Sequence, residues 1–349
     1  MTTPARVAEA DRVELVYYWA LNQMANRTIV EVRVLWDEEP PSGAARSYLT
    51  AMLGLVTRRR TLATRLALAY YRLVRALRTG ATVQDPSRPD ELGTVRLDDL
   101  RDQFEQVVDA IDAEVVGGLD ETQLPVSAQP VDPETGEIVE VDEDPPELDP
   151  VDDDDSILLE ELRELEEELR RLDEEAEAEA QRILDALGPT LLEKKLEAID
   201  DEQAARDADA ARREAAEQAA RRSAAAAARI SMNAARGLPY SLGEYDGRVL
   251  GWARYSQTGT PCGWCAMLLS RGAVYKTRAS AGDRADVDKY HDNCRCVAVP
   301  VFLEDQYESS DLFALNRRYA EEWPRVTRGF AGKAALSVWR RQFRPPPTA

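Results

Sequence analysis

The side chains of this 349-residue chain best suited to metal or nucleophilic chemistry are gathered in one short stretch. All four cysteines, Cys262, Cys265, Cys294 and Cys296, and the only histidine, His291, fall within 35 residues. The spacing is Cys-x2-Cys, a gap of 25 residues, then His-x2-Cys-x-Cys. Thiolates and imidazoles are the ligands zinc prefers, and structural zinc sites are usually four-coordinate and tetrahedral. A Cys-x2-Cys turn aims two sulfurs at one ion, and a second pair across a loop completes the set. The pattern predicts a zinc site built from four of these five residues. It favours Cys262, Cys265 and His291 with either Cys294 or Cys296. Two apart on a strand, those last two would share a face, whereas a turn would separate them. Two other chemistries compete. Paired disulfides would explain an even cysteine count, but a cytoplasmic chain argues against them. A protease dyad, with Cys262 or Cys265 as nucleophile and His291 as base, would leave three thiols without a role. The chain reads as a structural protein more readily than an enzyme, and no catalytic residue is assigned.

The elements that must position these ligands are short. AMLLS reads as a helix after the first pair, GAVYKT as a strand and Thr277 to Lys289 as a polar loop. CVAVPVF alternates as a closing strand. So small a core is insecure alone, and a bound metal would contribute folding energy. Trp252 and Trp264 read as core residues of this module, residues 237–310.

Upstream, residues 1–120 read as a helical domain. Leu49, Leu53 and Val56, then Leu62, Leu66, Tyr70, Leu73 and Leu77, recur at helical spacing, and Gly80 supplies a stop. Arg58, Arg59, Arg60, Arg65, Arg72, Arg75 and Arg78 decorate this segment. They read as a solvated basic face, with a docking or DNA-contacting surface as the sharper alternative. LDDLRDQFEQVVDAIDAEV predicts a further helix. Residues 121–155 hold six prolines and the Asp152–Asp155 run, the composition of an acidic, disordered linker. Residues 156–236 predict an elongated helical stalk or hairpin. Leu158, Leu162, Leu165, Leu169, Leu172, Ala176 and Ile183 follow a heptad-like rhythm. Gly188-Pro189 should break or kink the helix, and an alanine-rich helix should then run from about Thr190 to Arg236, ending before Gly237. The alanine-rich helix needs a partner, which could lie in this chain or another. The fold class expected is mainly α, with a small α+β zinc-stapled module near the C-terminus.

Charge is uneven. The net charge is −21, yet residues 102–161 carry 22 Asp and Glu and no Lys or Arg. The remainder is nearly neutral. From Asp311 to Ala349, eight Arg and Lys face three acids, so a basic helical tail is expected there. Arg317, Arg318, Arg340, Arg341 and Arg344 are its candidates for non-specific contact with DNA phosphates. No apolar run reaches about 18 residues, and the first residues lack a signal-peptide pattern, so no membrane partner is expected.

PCGWCAMLLSRGAVYKT followed by YHDNCRCVAVPVF resembles the C-terminal module of the Mu F-like minor head proteins of tailed bacteriophages. The form is most similar to that of actinobacterial phages. The matching features are the Cys262–Cys265 pair, the strand Gly272 to Tyr275, and the closing element His291 to Cys296. The resemblance covers roughly Asp246 to Phe302, and Tyr70 to Gly80 is similar more weakly. It implies a minor capsid protein of head morphogenesis, present in few copies inside the head near the portal. It would be made in the host cytoplasm and meet portal, major capsid or scaffold proteins and packaged DNA. Many relatives of this type are labelled capsid maturation proteases; here such a protease would have to use His291 or do without histidine. A scaffold-like assembly factor is the third role the acidic linker and helices suggest.

Overall fold

Where glycine follows an amphipathic helix, the left-handed conformation it tolerates closes the last turn. In a computed structural model of the chain, α2 (Pro41–Thr79) ends at the expected place and Gly80 takes φ +83°. The structure describes residues 4–38, 41–85, 95–116, 159–199, 205–257, 259–273, 292 and 294–343. The 121–155 linker, the Gly272–Tyr275 strand beyond Ala273, His291 and Arg344 lie outside them. Helices α1 (Pro4–Glu38), α3 (Leu97–Val116), α4 (Leu159–Leu187), α5 (Pro189–Glu197) and α6 (Ala205–Tyr245) complete the helical part. Pro189 opens α5 at a position where a missing N–H costs nothing. The break expected at Gly188-Pro189 is therefore present.

The alanine-rich helix finds its partners within the chain. Ala215, Ala219, Ala220, Ala224, Ala226 and Ala227 of α6 pack with Val32 and Trp36 of α1, and with Tyr48, Met52, Leu55 and Val56 of α2. Ala180 and Leu184 of α4 join the same cluster. Small side chains let these backbones approach closely, which compensates for the little apolar area each one buries. The side chains of the stripe's leucines, Leu158, Leu162, Leu165, Leu169 and Leu172, lie outside the described residues. The helix expected from about Thr190 to Arg236 is corrected at both ends: α5 already closes at Glu197 and α6 begins at Ala205, and α6 continues through Gly237 and Pro239 to Tyr245. Leu238, Tyr240 and Leu242 are buried there, and their packing outweighs the hydrogen bond lost at proline.

The basic face expected on α2 is corrected for four of its seven arginines. Arg59, Arg72, Arg75 and Arg78 are buried, while Arg58 and Arg65 are exposed. Arg75 forms a fully buried fork on Asp246, through Nε at 2.6 Å and Nη2 at 3.0 Å. The Tyr71 hydroxyl donates to the same carboxylate at 2.8 Å. Arg78 bridges Asp11 and Glu14 of α1 at 2.7 and 3.1 Å. These cations thus join α2 to α1 and to the end of α6 instead of meeting solvent.

Two strands follow α6. β1 (Gly251–Ser256) pairs antiparallel with β2 (Cys296–Val301), placing Gly251 opposite Val301 and Ser256 opposite Cys296. Alternation then sorts β2: Val297, Val299 and Val301 enter the core shared with α1, α2, α3 and α6, whereas Cys296 points to a separate small core. Between the strands lies α7 (Gly263–Leu269). After them come α8 (Gln306–Ser309), a 3-10 turn at Asp311–Phe313, α9 (Ala314–Val326) and α10 (Gly332–Arg340). The tail is thus helical, but its apolar face is docked. Trp339 is fully buried and meets the rings of Tyr319 and Trp323 edge-on at 5.8 and 5.1 Å.

Candidate metal centre

Helix α7 begins on its first ligand. Cys262 is the N-cap, with extended backbone, and its Sγ accepts the Cys265 N–H at 3.5 Å. A thiol thereby takes the place usually held by a hydroxyl or carboxylate at the start of a helix, and the first turn brings Cys265 beneath it. The second half comes from the strand. Cys294 precedes β2 and Cys296 opens it, and the extended backbone turns both toward α7. The Sγ atoms of Cys265, Cys294 and Cys296 all lie within 4.8 Å of one another and are buried. Cys262 is half-buried at the rim, and none of the four is in a disulfide.

The spacing of the sulfurs suits a tetrahedral ion. A zinc–sulfur bond of about 2.3 Å implies sulfurs about 3.8 Å apart along each edge of the tetrahedron. Cys265 and Cys294 stand 3.7 Å apart. Four thiolates around a divalent ion leave two negative charges, and the surroundings supply cations. The buried Arg236 of α6 and Arg254 of β1 both favour the Cys294 thiolate. The cluster could bind a metal such as zinc.

The crowded thiols perturb one another. Hydrogen bonds from Cys265 and Cys296 hold the Cys294 thiol far below its ordinary range, with Arg236 and Arg254 adding to the effect. Hydrogen bonds to Cys262, Cys294 and Cys296 push Cys265 far up. At Cys296 the bond to Cys265 pulls down, but the bond to Cys294 and burial outweigh it, giving about 12. One thiolate is thus already favoured in the cluster, as metal capture requires.

Helix α6 holds the cysteine loop in place. Arg236 donates through Nη2 to the Cys294 carbonyl. Two turns earlier, Arg229 bonds Asp292 at 2.8 Å. Arg295 reaches Asn26 of α1, also at 2.8 Å. On the other side, α10 rests on the cysteine turn. A Cβ at Gly263 would lie 2.8 Å from Arg340 Cγ and 3.0 Å from its Cα, so only glycine permits this approach. The Arg340 guanidinium lies 5.9 Å from the centre of the Trp264 ring. Trp252 packs on Tyr240 with ring centres 4.5 Å apart.

Of the five residues predicted, the structure brings Cys265, Cys294 and Cys296 together with Cys262 beside them. Both Cys294 and Cys296 approach Cys265, where the spacing alone offered one or the other. His291 lies outside the described residues. The supporting residues Arg229, Arg236, Arg254, Gly263 and Trp339 are not marked by the ligand spacing. A signal existed for two of them, since Arg229 and Arg236 are seven apart and share one face of a helix. Among the tail arginines, Arg317 donates to the carbonyls of Tyr307 and Ser310 at 2.7 and 2.9 Å. Arg318, Arg340 and Arg341 are exposed.

Fold and site together define a mainly helical protein whose small two-stranded sheet carries a buried cysteine cluster. Residues 175–322, less than half the chain, match the family described as VG15 protein. Two curated relatives are similar. The Gene 15 protein of Mycobacterium phage L5 is 29% identical over 18% of this chain and 33% of its own length. The Gene 15 protein of Mycobacterium phage D29 is 30% identical over 16% of this chain and 29% of its own. The chain thus spans about a third of the length of the curated relatives it matches. No solved structure matches it. Among the described residues, no helix is long and apolar enough to cross a membrane.

Proposed function

We propose that this chain is a minor capsid protein of phage head morphogenesis, acting inside the head near the portal, with zinc as a structural staple. The observation that carries the metal assignment is the 3.7 Å separation of Cys265 and Cys294 inside a buried thiol cluster flanked by Arg236 and Arg254. On this reading Cys262, Cys265, Cys294 and Cys296 hold the ion, and His291 is the spare soft ligand. A tetrathiolate site closed by protein has no open position for substrate, so its role is to fix structure. The ion would join the α7 turn to β2 and so support the docking of α9 and α10 through Trp339. The head role rests on similarity to actinobacterial phage proteins and on the resemblance of the cysteine module to Mu F-like minor head proteins. Portal, major capsid or scaffold proteins are the partners this reading implies. Arg318, Arg340 and Arg341 are exposed on the docked helices and suited to sequence-independent contact with packaged DNA. Arg317 already serves two carbonyls and would contribute less.

The test is genetic and analytical. In a phage carrying this gene, a nonsense allele should yield defective or empty heads by electron microscopy, and mass spectrometry of wild-type virions should find the protein in few copies. Normal filled heads from the nonsense allele, with no protein in virions or head precursors, would overturn the assignment. The purified full chain should carry about one zinc per molecule. Cys296→Ser should lose the ion and His291→Ala should keep it; the reverse result would replace Cys296 by His291 in the ligand set.

A further inference from the structure

Six large apolar residues are conspicuously exposed among the described residues, and four of them sit on α1: Leu15, Val16, Val30 and Val34. Leu15, Val30 and Val34 are 50%, 47% and 47% exposed. On a helix of 3.6 residues per turn they fall on one face with Arg12, Trp19, Gln23, Asn26 and Asp37. This face lies largely opposite the buried residues Val13, Tyr17, Ala20, Leu21 and Met24; within the chain it is touched at Asn26, which accepts from Arg295, and at Trp19. Trp19 is partly covered by the core.

The order of residues along this face is self-complementary. Laid antiparallel against itself, Leu15 comes opposite Val34 and Trp19 opposite Val30. The amides Gln23 and Asn26 meet at the middle, and Arg12 comes opposite Asp37 at both ends. A two-fold interface requires this property, because each contact must occur twice with the roles exchanged. Charges flanking the stripe are already used within the chain: Arg27 and Arg59 pair with Glu31, and Arg33 pairs with Glu217. Arg12 and Asp37 have no ion pair among the described residues. The face therefore offers apolar patches matched in size, polar groups at its centre and opposite charges at its ends. We infer that α1 is an antiparallel homodimer interface, with a second copy of this chain as its occupant.

The experiment uses the full chain in sedimentation velocity or mass photometry over a range of concentrations. The wild type should dimerise, and Val30→Glu with Val34→Glu should weaken association by about tenfold or more by setting charge against an apolar patch. Both positions are half-exposed, and unchanged circular dichroism and melting would show that the fold is intact. Arg12→Asp alone and Asp37→Arg alone should each weaken the dimer, since each places like charges at both ends. The two together should restore it. A chain that stays monomeric at every concentration would overturn the inference. So would a dimer indifferent to all these substitutions, or charge reversals that fail to rescue one another. Crosslinks from α1 to the chain's own 117–158 segment in such a monomer would identify the true occupant.

Discussion

The junction between the helical bundle and the cysteine module rests on one buried carboxylate, and its removal gives a sharp test. Asp246, just after α6, accepts four hydrogen bonds: two from Arg75, one from Tyr71 and one from the Arg248 backbone N–H at 3.0 Å. The side chains of Arg75 and Asp246 are both 0% exposed. Asp246→Ala would leave the guanidinium buried without its counter-charge, a situation that typically costs about 3–5 kcal/mol. Loss of the Tyr71 acceptor adds about 1 kcal/mol. Against a total stability of roughly 5–15 kcal/mol, the variant should be severely destabilised. Arg75→Met with Asp246→Leu removes both charges at once and should recover most of the loss, since apolar pairs of similar volume replace buried ion pairs with little penalty. Urea unfolding followed by tryptophan fluorescence reads both effects. A loss under about 1 kcal/mol for Asp246→Ala, or a double variant as unstable as the two singles combined, would refute the assignment of this pair as the joint.

Three further outcomes follow from the geometry. Chelation of zinc should release α10 from α7, seen as a red shift of Trp339 emission and early proteolysis after Thr327, while the far-ultraviolet signal of the long helices persists. Glu14 is fully buried, and desolvation, only partly offset by Arg78, raises its pKa from 4.5 to about 7. The folded state therefore holds this proton more tightly than the unfolded chain does. The associated stability is fully present below about pH 4.5 and is lost as pH rises through 7, amounting to about 3 kcal/mol. Glu14→Gln should flatten that part of the stability–pH curve in urea titrations; an unchanged slope would remove Glu14 as its source. Gly263→Ala should weaken the packing of α10 by about 1–3 kcal/mol through the clash with Arg340, measurable as faster C-terminal proteolysis with zinc content retained.

The residues themselves determined which atoms could hold a metal, because soft ligands are rare and here they cluster. They also determined the helix ending at Gly80, the break at Gly188-Pro189 and the closing strand at Cys296. Each of these depends on local backbone chemistry or on a short-period pattern. Tertiary structure decided the rest. Arg75 and Arg78 read as surface charges because their buried partners, Asp246 and Glu14, lie far away along the chain. The α6 helix passes Gly237 and Pro239 because packing of Leu238 and Leu242 outweighs local propensity. β1 is not legible in the sequence because GWARYS buries an arginine where alternation would place an apolar residue. That arginine has a reason to be inside only once Cys294 and Cys296 are folded against it. Local signals mark where a chain turns and which atoms can ligate, whereas burial of charge is defined only by residues that folding brings together.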